Sequence, residues 1–195
     1  MANTEMKSFF DRLAPSWSNC PEEYEVREKI VSLADCGEHG VIADIGCGRG
    51  VMFEHLLKTN PKSLVALDIS TEMIDCAKST FDDGRITYVN DDLFEAELPV
   101  FDAVMVYNAY PHFLDKRAFC EKLAKHIRKD GTLVIAHGRC KSAINGTHSG
   151  KTVSTLSVPL EDAGQEATKF SSHFTPAALI DNDEFYFIKL VRNDA

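Results

Sequence analysis

Ala43-Asp44-Ile45-Gly46-Cys47-Gly48-Arg49-Gly50 stands where a short apolar run, 41–45, passes into a segment of helical pattern, 51–59. Closely spaced glycines let the backbone bend sharply and approach a ligand without a Cβ in the way. A helix N-terminus beyond them adds unpaired N–H groups and a positive dipole end. Asp68 ends the next apolar run, where a carboxylate can accept both hydroxyls of a ribose. The spacing of the glycines separates two readings. A dinucleotide fingerprint, G-x-G-x-x-G, would need its third glycine at 51, and the chain has Val51 there. The pattern present is G-x-G-x-G, preceded by Asp44, so a nicotinamide oxidoreductase is disfavoured.

Outward from this loop, β-rich apolar runs alternate with amphipathic helical ones, the signature of βαβ units. The pattern predicts helices over 8–14, 22–34, 51–59, 70–80, 115–129 and 160–170. It predicts strands over 41–45, 64–68, 86–90, 101–107, 132–136, 176–180 and 184–191. Ser70 and Asp115 are the expected N-caps, because their side-chain oxygens can accept orphan backbone N–H groups. The last two strands, joined across Asp181-Asn182-Asp183, read as an antiparallel hairpin at a sheet edge. The segment 138–159 reads as a loop.

The chain has 195 residues, 44% apolar and 26% charged, with a net charge of −9. This is the composition of a folded domain, and the length suits one domain over 1–195. The acidic balance works against nucleic acid as a partner, which is held by neutralising phosphates. No apolar run approaches the ~20 residues of a membrane span, and no secretory leader is visible, so a cytoplasmic location is expected. The six cysteines form no C-x-x-C pair and are expected to be reduced thiols.

The glycine loop, taken with four further motifs, resembles the class I S-adenosylmethionine-dependent methyltransferases of the small-molecule type, whose loop reads D/E-x-G-x-G-x-G. Asn90-Asp91-Asp92-Leu93 resembles the acidic motif after strand three, and Phe101-Asp102-Ala103-Val104 the opening of strand four. Lys129-Asp130-Gly131-Thr132-Leu133 resembles the turn into strand five. Phe9-Phe10-Asp11, Ala14 and Trp17 resemble an opening segment that folds over the cofactor. The resemblance covers most of 8–137. Strand four ends Asn108-Ala109-Tyr110-Pro111, which departs from the N/D-P-P-Y/F of enzymes acting on base or glutamine amines.

The resemblance implies an α/β fold, Rossmann-like and doubly wound: a mostly parallel seven-stranded sheet with a C-terminal antiparallel hairpin and helices on both faces. It further implies a helical lid over 1–36, a cofactor core over 41–137 and an acceptor side over 138–195. S-adenosyl-L-methionine, with S-adenosyl-L-homocysteine as product, would be held by Trp17, Asp44, Gly46, Cys47, Gly48, Gly50, Asp68, Ile69, Met73, Asp91, Asp92, Leu93 and Asn108. Asp68 would take the ribose, Asp92 the adenine amine, and Leu93 would pack near the ring. The implied activity is methyl transfer to a small-molecule acceptor, by a monomer or homodimer. The alternative is a non-catalytic binder of the cofactor, serving as a sensor or partner subunit.

A base is needed where the acceptor must lose a proton. Histidine suits this near neutral pH, so His112 and His137 are the catalytic candidates, with Asn108, Tyr110, Arg139, Asn145 and His148 lining the acceptor pocket. The histidines have ordinary alternatives: His112 as a helix cap, His137 as a strand-end residue satisfied by backbone, His148 as plain surface. The three histidines share no close ligand spacing, and no metal is expected. Asp102 reads as structural, and small size suffices to explain Cys47.

Overall fold

A computed structural model describes residues 2–18, 20–147 and 155–194. Seven strands form one sheet in the order β3-β2-β1-β4-β5-β7-β6: β1 Val41–Ile45, β2 Ser63–Asp68, β3 Ile86–Asn90, β4 Phe101–Tyr107, β5 Ile127–His137, β6 Phe174–Asp181 and β7 Tyr186–Arg192. The first five are mutually parallel, β7 is antiparallel to β5, and β6 is antiparallel to β7. The central strands are buried on both faces, which is why they read as continuous apolar runs rather than alternating ones.

One face is covered by α2 (Tyr24–Ala34), α3 (Phe53–Lys58) and α4 (Thr71–Thr80), through Ile30, Phe53, Leu56 and Ile74. The other is covered by α5 (Lys116–His126) and α7 (Ala163–Thr168), with Phe119, Leu123, Ala163 and Phe170 in the core. Strand order reverses between β1 and β4, so a crevice opens at their carboxyl ends, where ligands bind in such sheets.

Two N-caps form as expected: the Ser70 hydroxyl accepts from Met73 N, and the Asp115 carboxylate from Ala118 N. Asp102 is structural, accepting Val41 N at 2.7 Å and Arg128 Nε at 2.6 Å, which ties the openings of β1, β4 and β5 together. All six cysteines are free thiols. Among the described residues, no helix is long and apolar enough to cross a membrane.

Several boundaries differ from expectation. The helix expected to reach 129 stops at His126, because the buried Ile127 pairs with Phe101 and begins β5. Asp130 then takes φ +60° and Gly131 lies against the Asp102 carbonyl, too close for any Cβ. The first helix, α1 (Ala2–Leu13), begins well before residue 8, and α3 is shorter than 51–59. Leu160, Ala163, Ala167 and Phe170 are all buried, but only Ala163–Thr168 of that segment is helical. Part of the expected loop folds as α6 (Lys141–Thr147). Strand β6 runs longer than expected and β7 starts later, at Tyr186, and the turn between them is closed by Asn182 Oδ1, which accepts Glu184 N and Phe185 N.

Candidate active site

A cavity of about 430 Å³ opens at the carboxyl ends of β1, β2 and β4, in the range of small-molecule sites. Its floor is the glycine loop, entered directly from β1. Gly46 and Gly48 take φ of +73° and +52°, the left-handed region, and a Cβ on Gly46 would stand 2.6 Å from Ala109 Cβ. The loop is braced from β2: Asp68 Oδ2 accepts Gly48 N at 2.8 Å, and Oδ1 accepts Ser70 N at 2.8 Å. Each carboxylate oxygen therefore keeps a further lone pair beside the cavity. Burial pushes the Asp68 carboxyl up to about 6, against the pull of those two N–H groups.

Ile69, Met73, Asp91, Asp92, Leu93 and Phe94 continue the wall from β2 and β3. Asp92 Oδ1 accepts Phe94 N, which closes that turn and directs Leu93 inward. The roof comes from α1 and the turn after it, through Met6, Phe10, Leu13 and Trp17. Arg49 holds this roof down, donating from Nη1 to the Trp17 carbonyl at 2.8 Å. Asp11 fixes it at the far side by accepting the Ser70 hydroxyl at 2.7 Å. The wall after β4 is Asn108, Ala109, His112 and Phe113. The His112 ring meets Phe10 edge-on at 5.0 Å, and its Nδ1 lies 2.8 Å from the Leu156 carbonyl. A carbonyl only accepts, so this assigns the proton of the neutral ring to Nδ1 and the basic lone pair to Nε2.

The structure brings Trp17, Gly46, Cys47, Gly48, Asp68, Ile69, Met73, Asp91, Asp92, Leu93, Asn108 and His112 to this one cavity. Two loop residues act from behind it. Gly50 (φ +81°) is packed so closely on Phe53 that a Cβ would meet the ring at 2.6 Å. Asp44 is buried beneath the loop, and neither of its oxygens has a hydrogen-bond partner among the described residues. Cys47 is buried with its thiol pushed up by burial, which leaves it a small inert filler.

Three acceptor-side expectations are corrected. Tyr110 is 0% exposed and donates its hydroxyl to Glu166, because the 3₁₀ turn Tyr110–His112 directs it into the core and His112 into the cavity. His137 is also 0% exposed, paired across β5 and β7 with Tyr186, with ring centroids 6.0 Å apart. It does not reach the cavity. Asn145 makes two hydrogen bonds with the backbone of Leu160, which clamps α6 to the following segment. Arg139 is half-exposed, with its Nε 3.7 Å from Glu23 Oε1. His148 lies outside the described residues.

Among the cavity residues missed from sequence are two buried charges, Glu23 and Arg27, 6% and 5% exposed, and Tyr107 at the end of β4. An acid and a base four residues apart ordinarily mark a solvated helix face, so their spacing carried no signal of a buried site.

Burial, reinforced by the nearby Asp68 charge, pushes the Asp44 carboxyl up to about 8. Its folded value is above the unfolded one. The stabilisation this gives is full below the unfolded value and is lost as pH rises through 8. In thermal unfolding between pH 5 and pH 9, the midpoint of the native chain should therefore fall relative to that of Asp44→Asn. A constant difference across the range would remove Asp44 from the titration.

Residues 42–131 match the family model described as "Methyltransferase domain". An uncharacterized methyltransferase of Mycobacterium tuberculosis is 31% identical over 107 residues, 54% of each chain. A malonyl-[acyl-carrier protein] O-methyltransferase of Acetivibrio thermocellus is 31% identical over 97 residues, 49% of this chain and 34% of that protein. The chain thus spans about half, or less, of the length of these curated relatives. Among solved structures, the N-methyltransferase NodS of Bradyrhizobium japonicum, in complex with S-adenosyl-L-homocysteine, aligns with a TM-score of 0.77 and 16% identity, covering 97% of this chain and 100% of that one.

Proposed function

We propose that the chain is a class I S-adenosylmethionine-dependent methyltransferase, which moves the methyl group of S-adenosylmethionine onto a small-molecule acceptor. The observation that carries this reading is the cavity itself. It joins the glycine loop and Asp68 on one side to Asn108, His112 and Phe113 on the other.

The residues present fit the cofactor. Asp68 keeps lone pairs for the ribose hydroxyls, Ile69, Met73 and Leu93 supply apolar cover for a base, and Asp91 and Asp92 supply acceptors for its amine. A sulfonium cation bound above the loop would favour the ionised form of the Asp44 carboxyl, which burial otherwise holds neutral near pH 7. When bound, S-adenosylmethionine supplies a methyl carbon already activated by its sulfonium. What remains for the protein is to align acceptor and donor at contact distance and keep water out. Phe10, Trp17 and Phe113 form an apolar cover for this. His112 takes the acceptor's proton at Nε2, so that an X–H acceptor leaves as X–CH₃ with S-adenosylhomocysteine and one proton as the other products. A cavity of this size, shared between donor and acceptor, supports a small acceptor. The O-methyltransferase among the relatives makes oxygen nucleophiles the first class to screen.

The test is release of S-adenosylhomocysteine over a panel of small hydroxyl, thiol and amine acceptors, followed by His112→Gln. The substitution should lower kcat by about a hundredfold or more. Affinity for S-adenosylhomocysteine should stay within about threefold. Unchanged turnover, or equal loss of turnover and affinity, would remove His112 as the base. Cofactor binding with no acceptor in the panel turned over would favour the non-catalytic binder.

A further inference from the structure

The first helix is oriented by its polar side. Lys7 donates to the Thr71 hydroxyl at 2.8 Å and Asp11 accepts from the Ser70 hydroxyl at 2.7 Å, which fixes α1 across the start of α4. Met6, Phe10 and Leu13, spaced four and three apart, then share the face that looks into the cavity. This apolar wall continues past the helix in Trp17 and beyond β4 in His112 and Phe113. Phe10 joins its parts. Its ring meets Trp17 at 6.0 Å and His112 at 5.0 Å, steeply inclined to both, and Phe113 is fixed from behind by Phe119 at 4.6 Å. Rings exposed to one another edge-on in this way suit a further aromatic ring. Trp17 keeps 38% of its surface exposed, apolar area that a ligand in the cavity can cover. The charged side chains of the cavity are four acids, Glu23, Asp68, Asp91 and Asp92, and two arginines. Both arginines donate to main-chain carbonyls, Arg49 to Trp17 and Arg27 to Cys20. A carboxylate or phosphate on the acceptor would enter against this acidic balance and lose its hydration as well.

We propose that the acceptor is a small uncharged phenol, its ring packed against Phe10, Trp17 and Phe113 and its hydroxyl turned to His112. The inference rests on the methyl-transfer reading above and narrows its acceptor. The aromatic wall selects the ring, and the acidic balance selects against an anionic one. The base selects the kind of hydroxyl. An imidazole ordinarily titrates at about 6.5 and a phenol at about 10. Proton transfer can cross that gap as the methyl bond forms, whereas an aliphatic alcohol lies far beyond it. The phenol oxygen bonds to the methyl carbon as the carbon–sulfur bond breaks, and the electron pair of that bond stays on sulfur. The phenol proton passes to His112 Nε2 and on to solvent. The products are an aryl methyl ether, S-adenosylhomocysteine and one proton.

Trp17 is the single tryptophan of the chain, so its fluorescence reports acceptor binding apart from turnover. Protein saturated with S-adenosylhomocysteine is titrated with 4-methylphenol, 4-hydroxybenzoate and cyclohexanol, with excitation at the red edge of the indole band, where simple phenols absorb little. 4-Methylphenol should change the emission saturably and bind at least about tenfold more tightly than the acid or the alcohol. Given S-adenosylmethionine, it should yield its methyl ether, and cyclohexanol should yield none. Phe10→Leu should raise KM for 4-methylphenol by about three- to tenfold, the worth of one edge-to-face ring contact. Its affinity for S-adenosylhomocysteine should stay within about twofold, which also certifies that the variant is folded. Should Phe10→Leu not fold, Trp17→Leu, read by KM, carries the same comparison. Absence of 4-methylphenol binding, equal or tighter binding of the acid or the alcohol, or equal weakening of phenol and S-adenosylhomocysteine in the variant would each overturn the phenol site. All three leave the methyl-transfer reading standing. A native chain that does not bind S-adenosylhomocysteine would overturn both.

Discussion

Gly48→Val is expected to abolish binding of S-adenosylmethionine and S-adenosylhomocysteine while leaving a folded chain. Gly48 has φ +52°, which costs an ordinary L-residue about 1–2 kcal/mol and a β-branched one more. That strain is tolerable in a domain of this size. The protein itself has room for a Cβ, since the nearest atom to one at this position is Met73 Sδ at 3.9 Å. The added side chain therefore has no neighbour to displace except a ligand, and it stands on the cavity floor directly beside Asp68. Affinity should fall by more than a hundredfold in titration, with a modest drop in the unfolding midpoint. A folded variant that binds as the native chain does would show that the loop does not cradle the ligand. Gly50→Val is the contrasting case: its Cβ would strike Phe53 in the core, so the loss there is one of fold.

The second large effect is at Asp68. Its carboxylate bridges Gly48 N and Ser70 N and offers its remaining lone pairs to the cavity. Asp68→Ala should cost roughly 1.5–3 kcal/mol of cofactor binding, one to two decades in affinity. With the folded carboxyl near 6, the native site holds a full acceptor only above that pH. Below it a proton competes with the ribose hydroxyls. Native affinity should be flat above about pH 7 and fall toward tenfold per unit as pH drops below 6, whereas Asp68→Ala should show no such inflection. Equal affinity of the two chains at pH 7.5 would remove Asp68 from the ribose. A native profile without an inflection near 6 would remove only the titration.

Most of the fold and the glycine-loop side of the cavity were legible because their signals are local. The G-x-G-x-G spacing is a statement about backbone angles at 46, 48 and 50, and all three glycines do take positive φ. The boundary error at 126–131 arose because cations at 125, 126, 128 and 129 suit a helix terminus, while the burial of Ile127 against β4 suits a strand. Burial won, since pairing with Phe101 extends the β4–β5 ladder there.

The side of the cavity after β4 was much less legible. Tyr110 and His112 are two residues apart in one 3₁₀ turn, and a rotation of that turn would exchange which faces the core and which the cavity. Nothing in their spacing distinguishes the two. His137 was a candidate because it ends β5, but the antiparallel β7 lies alongside and buries it against Tyr186.

By itself, then, the sequence determined the alternation of strands and helices, the glycine loop and the acidic strand end of β2, because periodicity and left-handed backbone positions depend on residues close in the chain. The tertiary structure alone decided that Glu23, Arg27 and Tyr107 share one wall, that Arg49 reaches back to the Trp17 carbonyl, and which histidine meets the cavity. Those contacts join residues far apart in the chain, and they exist only once the helices have docked on the two faces of the sheet.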